Sequence, residues 1–328
     1  MSLLTQLVNL FFSQRRGEID FFMQHPARVQ QQQLERLLTQ AGGTVFGRDH
    51  GFGKIRTSEA YAAAVPVADY DSFSEYIGRT RTGEQNVLWP TEIKWFAKSS
   101  GTTSAKSKFI PVSDEGLSGC HLRGPMDVIC FFAGLYPKSG VFGGRTLTLG
   151  GSHRLESTGG RAQEGDLSAI LIENTPKWAS WRRTPRPETA LIPDFEEKVQ
   201  SICREAVPQR VTSFAGVPSW NLVLMNRVLE YTGKQNILEV WPEMELFVHG
   251  GMNFNPYREQ YRRIFPSDTM KYMETYNASE GFFALADDPR RDDMLLMLDY
   301  GNFFEFRSGD TVVPLEGVEC GKVYAMLI

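Results

Sequence analysis

Lys98-Ser99-Ser100-Gly101-Thr102-Thr103-Ser104-Ala105-Lys106-Ser107-Lys108 follows the apolar run Trp95-Phe96-Ala97. A strand that empties into such a loop reads as an α/β element whose end can meet an anion. Gly101 can take a positive φ, so that neighbouring N–H groups converge on one point. The hydroxyls of Ser99, Ser100, Thr102 and Thr103 add donors, and Lys106 and Lys108 add positive charge. The same composition also suits an exposed turn, and on this segment alone both readings stay open. It is not a Walker P-loop. Gly47 to Lys54 approaches G-x-x-x-x-G-K-[ST] but is one residue too long, with Ile55 in place of the hydroxyl.

Two later segments extend the theme. Val248-His249-Gly250-Gly251-Met252-Asn253-Phe254-Asn255-Pro256-Tyr257 runs from a strand through Gly-Gly into a proline-started helix. Two glycines let a flat ring approach the backbone, and a helix N-terminus favours anions. A tight strand-to-helix turn explains it equally well. Glu274-Thr275-Tyr276-Asn277-Ala278-Ser279-Glu280 sets a carboxylate at a strand end beside hydroxyl and amide groups. That suits Mg²⁺ held through phosphate oxygens, and it also suits an ordinary turn with an exposed glutamate.

Bulk properties narrow the field. The chain has 328 residues, 41% of them hydrophobic, enough for one large domain or two ordinary ones. A net charge of −4 argues against a nucleic-acid partner, and Arg48, Arg79, Arg81, Arg182 and Arg183 are scattered among acids. The four cysteines, Cys120, Cys130, Cys203 and Cys320, form no C-x-x-C and read as free thiols in a reducing compartment. The first residues read as an amphipathic helix (Leu3, Leu7, Leu10, Phe11), not a signal peptide. No run approaches the ~20 apolar residues of a membrane span. The expectation is a soluble, cytoplasmic protein without a membrane partner.

Residues 1–88 read as a helical layer. Pro26 opens a helix with Val29, Leu34, Leu37 and Leu38 on one stripe, and Thr57 or Ser58 caps a shorter one stopped by Pro66. Strand-like runs then follow at 93–97, 145–149, 211–215, 245–249, 271–276, 282–286, 294–298, 302–306 and 323–328. Helices are expected near 113–135, 193–206, 218–231 and 256–264, and the most loop-like stretch is 150–190. The alternation predicts an α/β fold with mixed sheets flanked by helices, denser in strands toward the end. The final run, Lys322 to Ile328, stops on apolar residues and reads as a strand whose continuation is missing.

The three segments, each after a strand and in this order, resemble the adenylate-forming enzymes. There the phosphate loop reads roughly Ser-Gly-Thr-Thr-Gly-x-Pro-Lys, the adenine turn Gly-Gly-Ala-Pro and the magnesium motif Tyr-Gly-x-Thr-Glu. Here Ser104 or Ala105 replaces a glycine, and Ser279 replaces the threonine. Lys94 to Thr103 and Tyr276 to Glu280 look like the GH3 acyl-acid amido synthetases. Gly83-Glu84-Gln85-Asn86-Val87-Leu88-Trp89-Pro90 and Ser213-Phe214-Ala215-Gly216-Val217-Pro218-Ser219-Trp220 look like its bacterial members.

The resemblance implies the large, ATP- and acyl-binding domain of an adenylate-forming enzyme across residues 1–328. It implies that Ser99, Ser100, Gly101, Thr102 and Thr103 hold ATP phosphates and that Gly250, Gly251 and Met252 border adenine. Tyr276, Asn277, Ala278 and Ser279 would line the nucleotide, and Glu280 would hold Mg²⁺. Thr102, Ser279 and Glu280 would be the catalytic set. An acyl acid would be adenylated, and an amino acid or amine would then take the acyl group. No side-chain nucleophile is needed, which fits a chain without a nucleophile elbow. Candidates for the acyl pocket are Val128, Phe131 and Phe132, and Phe214, Gly216, Val217 and Trp220; ordinary core packing accounts for both groups too. Phe306-Arg307-Ser308-Gly309-Asp310 imitates the family's ribose-binding Tyr-Arg-x-Gly-Asp but lies only 30 residues past Glu280. The true motif, the small C-terminal domain and its catalytic lysine are expected on a missing part of the same polypeptide, so that this chain alone binds nucleotide weakly. The alternatives are a ligase of similar first step with a thiol acceptor, and a non-catalytic nucleotide- or acyl-binding domain.

Overall fold

Three- and four-residue apolar spacing sets the first helices. Pro26 starts the helix Pro26–Ala41, whose Val29, Leu34, Leu38 and Ala41 are buried. The Thr44 hydroxyl caps Val45–Asp49 by accepting the Gly47 N–H at 2.9 Å, and Thr57 caps Ser58–Ala64 in the same way. Helices continue through Ser74–Arg81. This computed structural model describes residues 3–99, 107–151, 155–158 and 161–328.

The strands are β1 (Trp95–Ser99), β2 (Lys108–Val112), β3 (Arg145–Thr148), β4 (Glu156–Ser157), β5 (Gln163–Gly165), β6 (Arg183–Thr184), β7 (Val211–Gly216), β8 (Leu246–Gly250), β9 (Lys271–Ala278), β10 (Gly281–Leu285), β11 (Leu295–Leu296), β12 (Glu305–Ser308), β13 (Thr311–Pro314) and β14 (Ala325–Leu327). The chain divides into two compact units. The first comprises residues 1–13, 121–155 and 165–296, and the second 14–120, 156–164 and 297–328.

The first unit is built on a seven-stranded sheet of order β11-β10-β9-β8-β7-β3-β6. β6, β3, β7, β8 and β9 run parallel, as crossover helices require, while β10 pairs antiparallel with β9 and β11 antiparallel with β10. Helices Phe195–Ala206, Pro218–Thr232 and Arg258–Ile264 supply the crossovers. Their apolar faces meet the sheet in one core around Phe214, Phe247, Tyr261 and Phe265. Phe214 and Phe247 stack with centroids 4.1 Å apart.

Helix Arg123–Leu135 packs on β10 through Gly124. A Cβ there would lie 2.7 Å from Phe282 Cδ1 and closer still to two other ring carbons. Gly124→Ala is therefore expected to destabilise the chain by about 1–3 kcal/mol, as overpacking does. Urea unfolding checks this, and an unchanged midpoint would mean that the ring swings aside. The N-terminal helix Leu3–Phe11 docks by its polar face. Thr5 Oγ1 donates to the Ser139 carbonyl and Asn9 Nδ2 to the Ala133 carbonyl, each at 3.0 Å. Its apolar stripe, Leu7, Leu10 and Phe11, is exposed.

The second unit holds two smaller sheets, β2-β1-β5-β4 and β13-β12-β14. One apolar cluster gathers Leu34, Leu38, Ala41, Phe52 and Ile55, and another gathers Ile77, Ile93, Phe96 and Ala162. Arg81 braces the β1–β2 hairpin. Its Nε donates to Glu164 at 2.8 Å, and its guanidinium lies 4.0 Å from the Phe109 ring centroid on β2.

Several expectations need correction. The helix read across 113–135 breaks into Asp114–Gly116, a π segment Leu117–His121 and Arg123–Leu135. The loop-like stretch 150–190 contains helices Leu167–Glu173, Lys177–Ser180 and Pro187–Ala190. Its average composition hid Leu167-Ser168-Ala169-Ile170-Leu171-Ile172, whose Ala169, Ile170 and Ile172 are buried. The strand read at 294–298 shrinks to β11, two residues long. β2, absent from the strand-like runs, contains Pro111; it is an edge strand, where proline is tolerated.

Candidate active site

In the first unit β7, β8 and β9 lie side by side and end at one edge of the sheet, in Gly216, Gly250 and Ala278. The carboxyl ends of parallel strands are where open α/β sheets bind ligands. Gly216 sits at φ +137° and Gly251 at φ +81°, so both turns need glycine. The two turns touch, because a Cβ on Gly251 would lie 3.4 Å from Val217 Cγ2.

Gly250 is the tightest point. A Cβ there would stand 2.6 Å from Thr275 Oγ1, 3.1 Å from Asn277 Oδ1, and closer still to the Thr275 carbonyl oxygen. Thr275 Oγ1 donates to the His249 carbonyl at 3.1 Å, tying β9 to the Gly-Gly turn. Met252 follows, exposed, as are Tyr276 and Asn277 on β9. The Tyr276 ring rests 5.3 Å from that of Phe283.

Ser279 and Glu280 form the two-residue turn between β9 and β10, where Ala278 pairs with Gly281. Glu280 is exposed at its tip. Glu274, earlier on β9, is half-buried. Burial pushes its carboxyl above the usual range, with Arg258 opposing and Asp292 adding to the shift. His249 is buried beneath the turn, its ring 4.4 Å from Phe254. Burial, helped by Arg258, lowers its pKa to about 4, so it is a neutral imidazole at ordinary pH. Its Nδ1 has no hydrogen-bond partner.

The first unit thus brings together Gly216, Val217, Gly250, Gly251, Met252, Tyr276, Asn277, Ala278, Ser279 and Glu280. Trp220, exposed, lies one turn into the helix after β7, its ring 5.2 Å from Phe195. Val128, Phe132 and Phe214 are buried. Phe214 belongs to the aromatic core stack, and Phe132 meets Tyr136 and Phe142. Phe131 is only partly buried. Ser99 ends β1 in the second unit, paired with Lys108 across the hairpin. Ser100, Gly101, Thr102 and Thr103 lie outside the described residues. Phe306 to Asp310 forms the β12–β13 hairpin, Gly309 taking φ +59° in its turn.

Two residues escaped the sequence reading. Thr275 looked like a spacer, yet it fixes the Gly-Gly turn. Asn221 is fully buried, and its amide nitrogen would be 2.8 Å from a Cβ on Gly216. The available signal was an asparagine in the first turn of a helix that follows a glycine-ended strand.

The chain is similar to plant enzymes. It is 27% identical over 186 residues to the probable indole-3-acetic acid-amido synthetase GH3.12 of Oryza sativa subsp. japonica, covering 53% of this chain and 29% of that one. It is 27% identical over 118 residues to the jasmonoyl–L-amino acid synthetase JAR6 of Nicotiana attenuata, covering 35% and 20%. The fold matches the GH3.15 acyl acid amido synthetase in complex with 2,4-DB, with a TM-score of 0.76 at 17% identity over 92% of this chain and 62% of that one. A 2-hydroxyisobutyryl-CoA ligase matches at a TM-score of 0.51 and 12% identity, over 85% and 60%. The chain therefore spans less than a third of the length of these two curated relatives and under two thirds of the solved structures. Residues 15–270 match the GH3 family N-terminal domain, and the chain belongs to the GH3 family.

Proposed function

We propose that this chain carries the ATP- and acyl-binding part of an acyl-acid amido synthetase. The observation that supports this best is the cradle at Gly250. Thr275 and Asn277 pack so closely on Gly250 that no side chain fits there, which fixes the turn and holds the exposed Gly251 and Met252 where a flat ring can lie, beside an exposed glutamate turn. This fits adenine lying against Gly250 and Gly251, flanked by Met252 and Tyr276. Among the described residues no group of three His, Cys, Asp or Glu could hold a metal ion. Mg²⁺ usually rests on one or two carboxylates plus phosphate oxygens and water. Glu280 would hold it, and the ion would neutralise phosphate charge. Ser99 to Thr103 would donate hydrogen bonds to phosphate, and Ser279 would face the nucleotide.

In this reading an acyl carboxylate attacks the α-phosphate, pyrophosphate leaves, and the amine of an amino acid then displaces AMP. The protein supplies position and charge, not a covalent group. Val217, Trp220 and Phe131 are the acyl-pocket candidates with side chains not lost to the core. Full turnover is assigned to a polypeptide that adds a C-terminal domain to these residues. Free cysteines suit a reducing cytoplasm. No helix among the described residues is long and apolar enough to cross a membrane.

Calorimetric titration of the chain with Mg·ATP tests the site. Glu280→Ala is expected to weaken binding about tenfold or more, the usual cost of losing a charged contact. Unchanged affinity in that variant would remove Glu280 from the site. On the longer protein, amide formation with amines but not thioester formation with CoA is the expected acceptor pattern.

A further inference from the structure

At the far side of the same sheet, Arg183 on β6 lines a small, partly open cavity. Thr148, Ser180, Ile172, Pro185 and Ala190 line it with Arg183. The space open to an occupant's centre is about 10 Å³, enough for one water-sized body. Thr148 ends β3 and pairs with Ala215, one residue before the Gly216 turn.

The guanidinium has only neutral partners. Nη1 donates to Thr175 Oγ1 at 2.9 Å and Nη2 to Thr148 Oγ1 at 3.4 Å. Among the described residues no carboxylate pairs with it. Nor does one pair with its two cationic neighbours. Arg182 donates to the carbonyls of Val141, Phe142 and Gly144, and Arg145 to those of Trp181 and Arg183. Among the described residues, the hydrogen bonds of these three arginines thus go to neutral groups alone. Arg183 is half-buried, and a cation partly withdrawn from water with neutral partners alone carries a cost that an anion relieves.

The lining chooses the occupant. Arg183 has five N–H groups and spends two of them. Thr148 Oγ1 accepts from Arg183, which leaves its own proton to donate. Ser180 Oγ makes only long contacts to the Thr175 and Pro176 carbonyls, at 3.4 and 3.3 Å. Donors without a facing carboxylate select an anion over a cation. The size of the cavity selects a single atom over a carboxylate or phosphate. We propose that this cavity is a halide site, occupied by chloride, that neutralises Arg183 and pins the ends of β3 and β6.

The test is thermal unfolding of the whole chain in potassium chloride and in potassium gluconate at equal ionic strength. Chloride at ten times its Kd is expected to raise the folded-to-unfolded ratio about tenfold, seen as a higher midpoint. Arg183→Met should lose that difference between salts. Thr148→Val, which keeps the side-chain shape, should reduce it and stays readable where Arg183→Met does not fold. Crystals grown in bromide should show an anomalous peak between Arg183 and Ser180. Equal midpoints in the two salts, a chloride effect unaltered in both variants, or bromide absent from this cavity would each overturn the assignment.

Discussion

Replacing Gly250 by alanine should abolish measurable Mg·ATP binding and lower stability by about 1–3 kcal/mol. The new methyl would run into the carbonyl and hydroxyl of Thr275, and the carbonyl is backbone in β9. A flexible side chain could move aside, but a strand paired on both sides, with β8 and β10, cannot. The turn must therefore lift away from β9, breaking the hydrogen bond from Thr275 to the His249 carbonyl and tilting Gly251 and Met252. Gly134→Ala is the matched control. That glycine is exposed near the end of helix Arg123–Leu135, with nothing within 4 Å of its missing Cβ. It should bind ATP normally and gain about 0.4–1 kcal/mol of stability. Calorimetry and urea unfolding on both variants settle the matter. Undiminished ATP affinity in Gly250→Ala would exclude the Gly-Gly turn from the nucleotide site.

Acid should weaken this protein well above the range in which ordinary carboxylates titrate. His121 and His249 are buried, and burial lowers each to about 4 from an ordinary 6.5. The unfolded chain then binds more protons than the folded one between those two values, so stability rises with pH across that window. The contribution is complete above pH 6.5, falls as the solution is acidified, and is gone below about 4. At 1.36 kcal/mol per pH unit, each histidine accounts for about 2 kcal/mol lost by pH 5. Urea unfolding at pH 7.5 and 5 measures the slope. His249→Phe suits a ring packed among Phe247, Phe254 and Tyr272, and should remove about half of that loss. An unchanged slope in His249→Phe and in His121→Gln would place the acid sensitivity elsewhere.

Part of the first unit was legible because β7 and β8 are largely buried and carry Val211, Phe214, Leu246, Phe247 and Val248, whereas β9 mixes Tyr272 and Met273 with Glu274 and Asn277. Helix Pro218–Thr232 announces itself with a proline and ends at Gly233, which takes φ +68°. The Gly250-Gly251 and Ser279-Glu280 turns were visible because each follows a strand-like run. Side-chain direction was not visible. Phe214 and Val217 stand three residues apart in one motif, yet one joins the ring stack and the other meets the Gly251 turn. Close approaches were hidden too, because what makes Gly124 obligatory is Phe282, 158 positions later. The two-residue β6 lay below any periodicity signal. Its role depends on Arg183, which a reading of composition treats as surface charge.

Pro111 has a bearing on how this protein behaves in crowded solution. β2 is an outer strand, and outer strands offer unpaired main-chain groups to any extended segment that drifts past. Pro111 sits in the fourth of its five positions and lacks the N–H that a docking strand would need. The ladder is thus missing a rung at its open boundary. Polymerisation by stacking one copy's sheet onto another's is discouraged there by Pro111 together with Tyr70, whose hydroxyl accepts the Phe109 N–H at 2.8 Å, independently of any chemistry at the nucleotide edge.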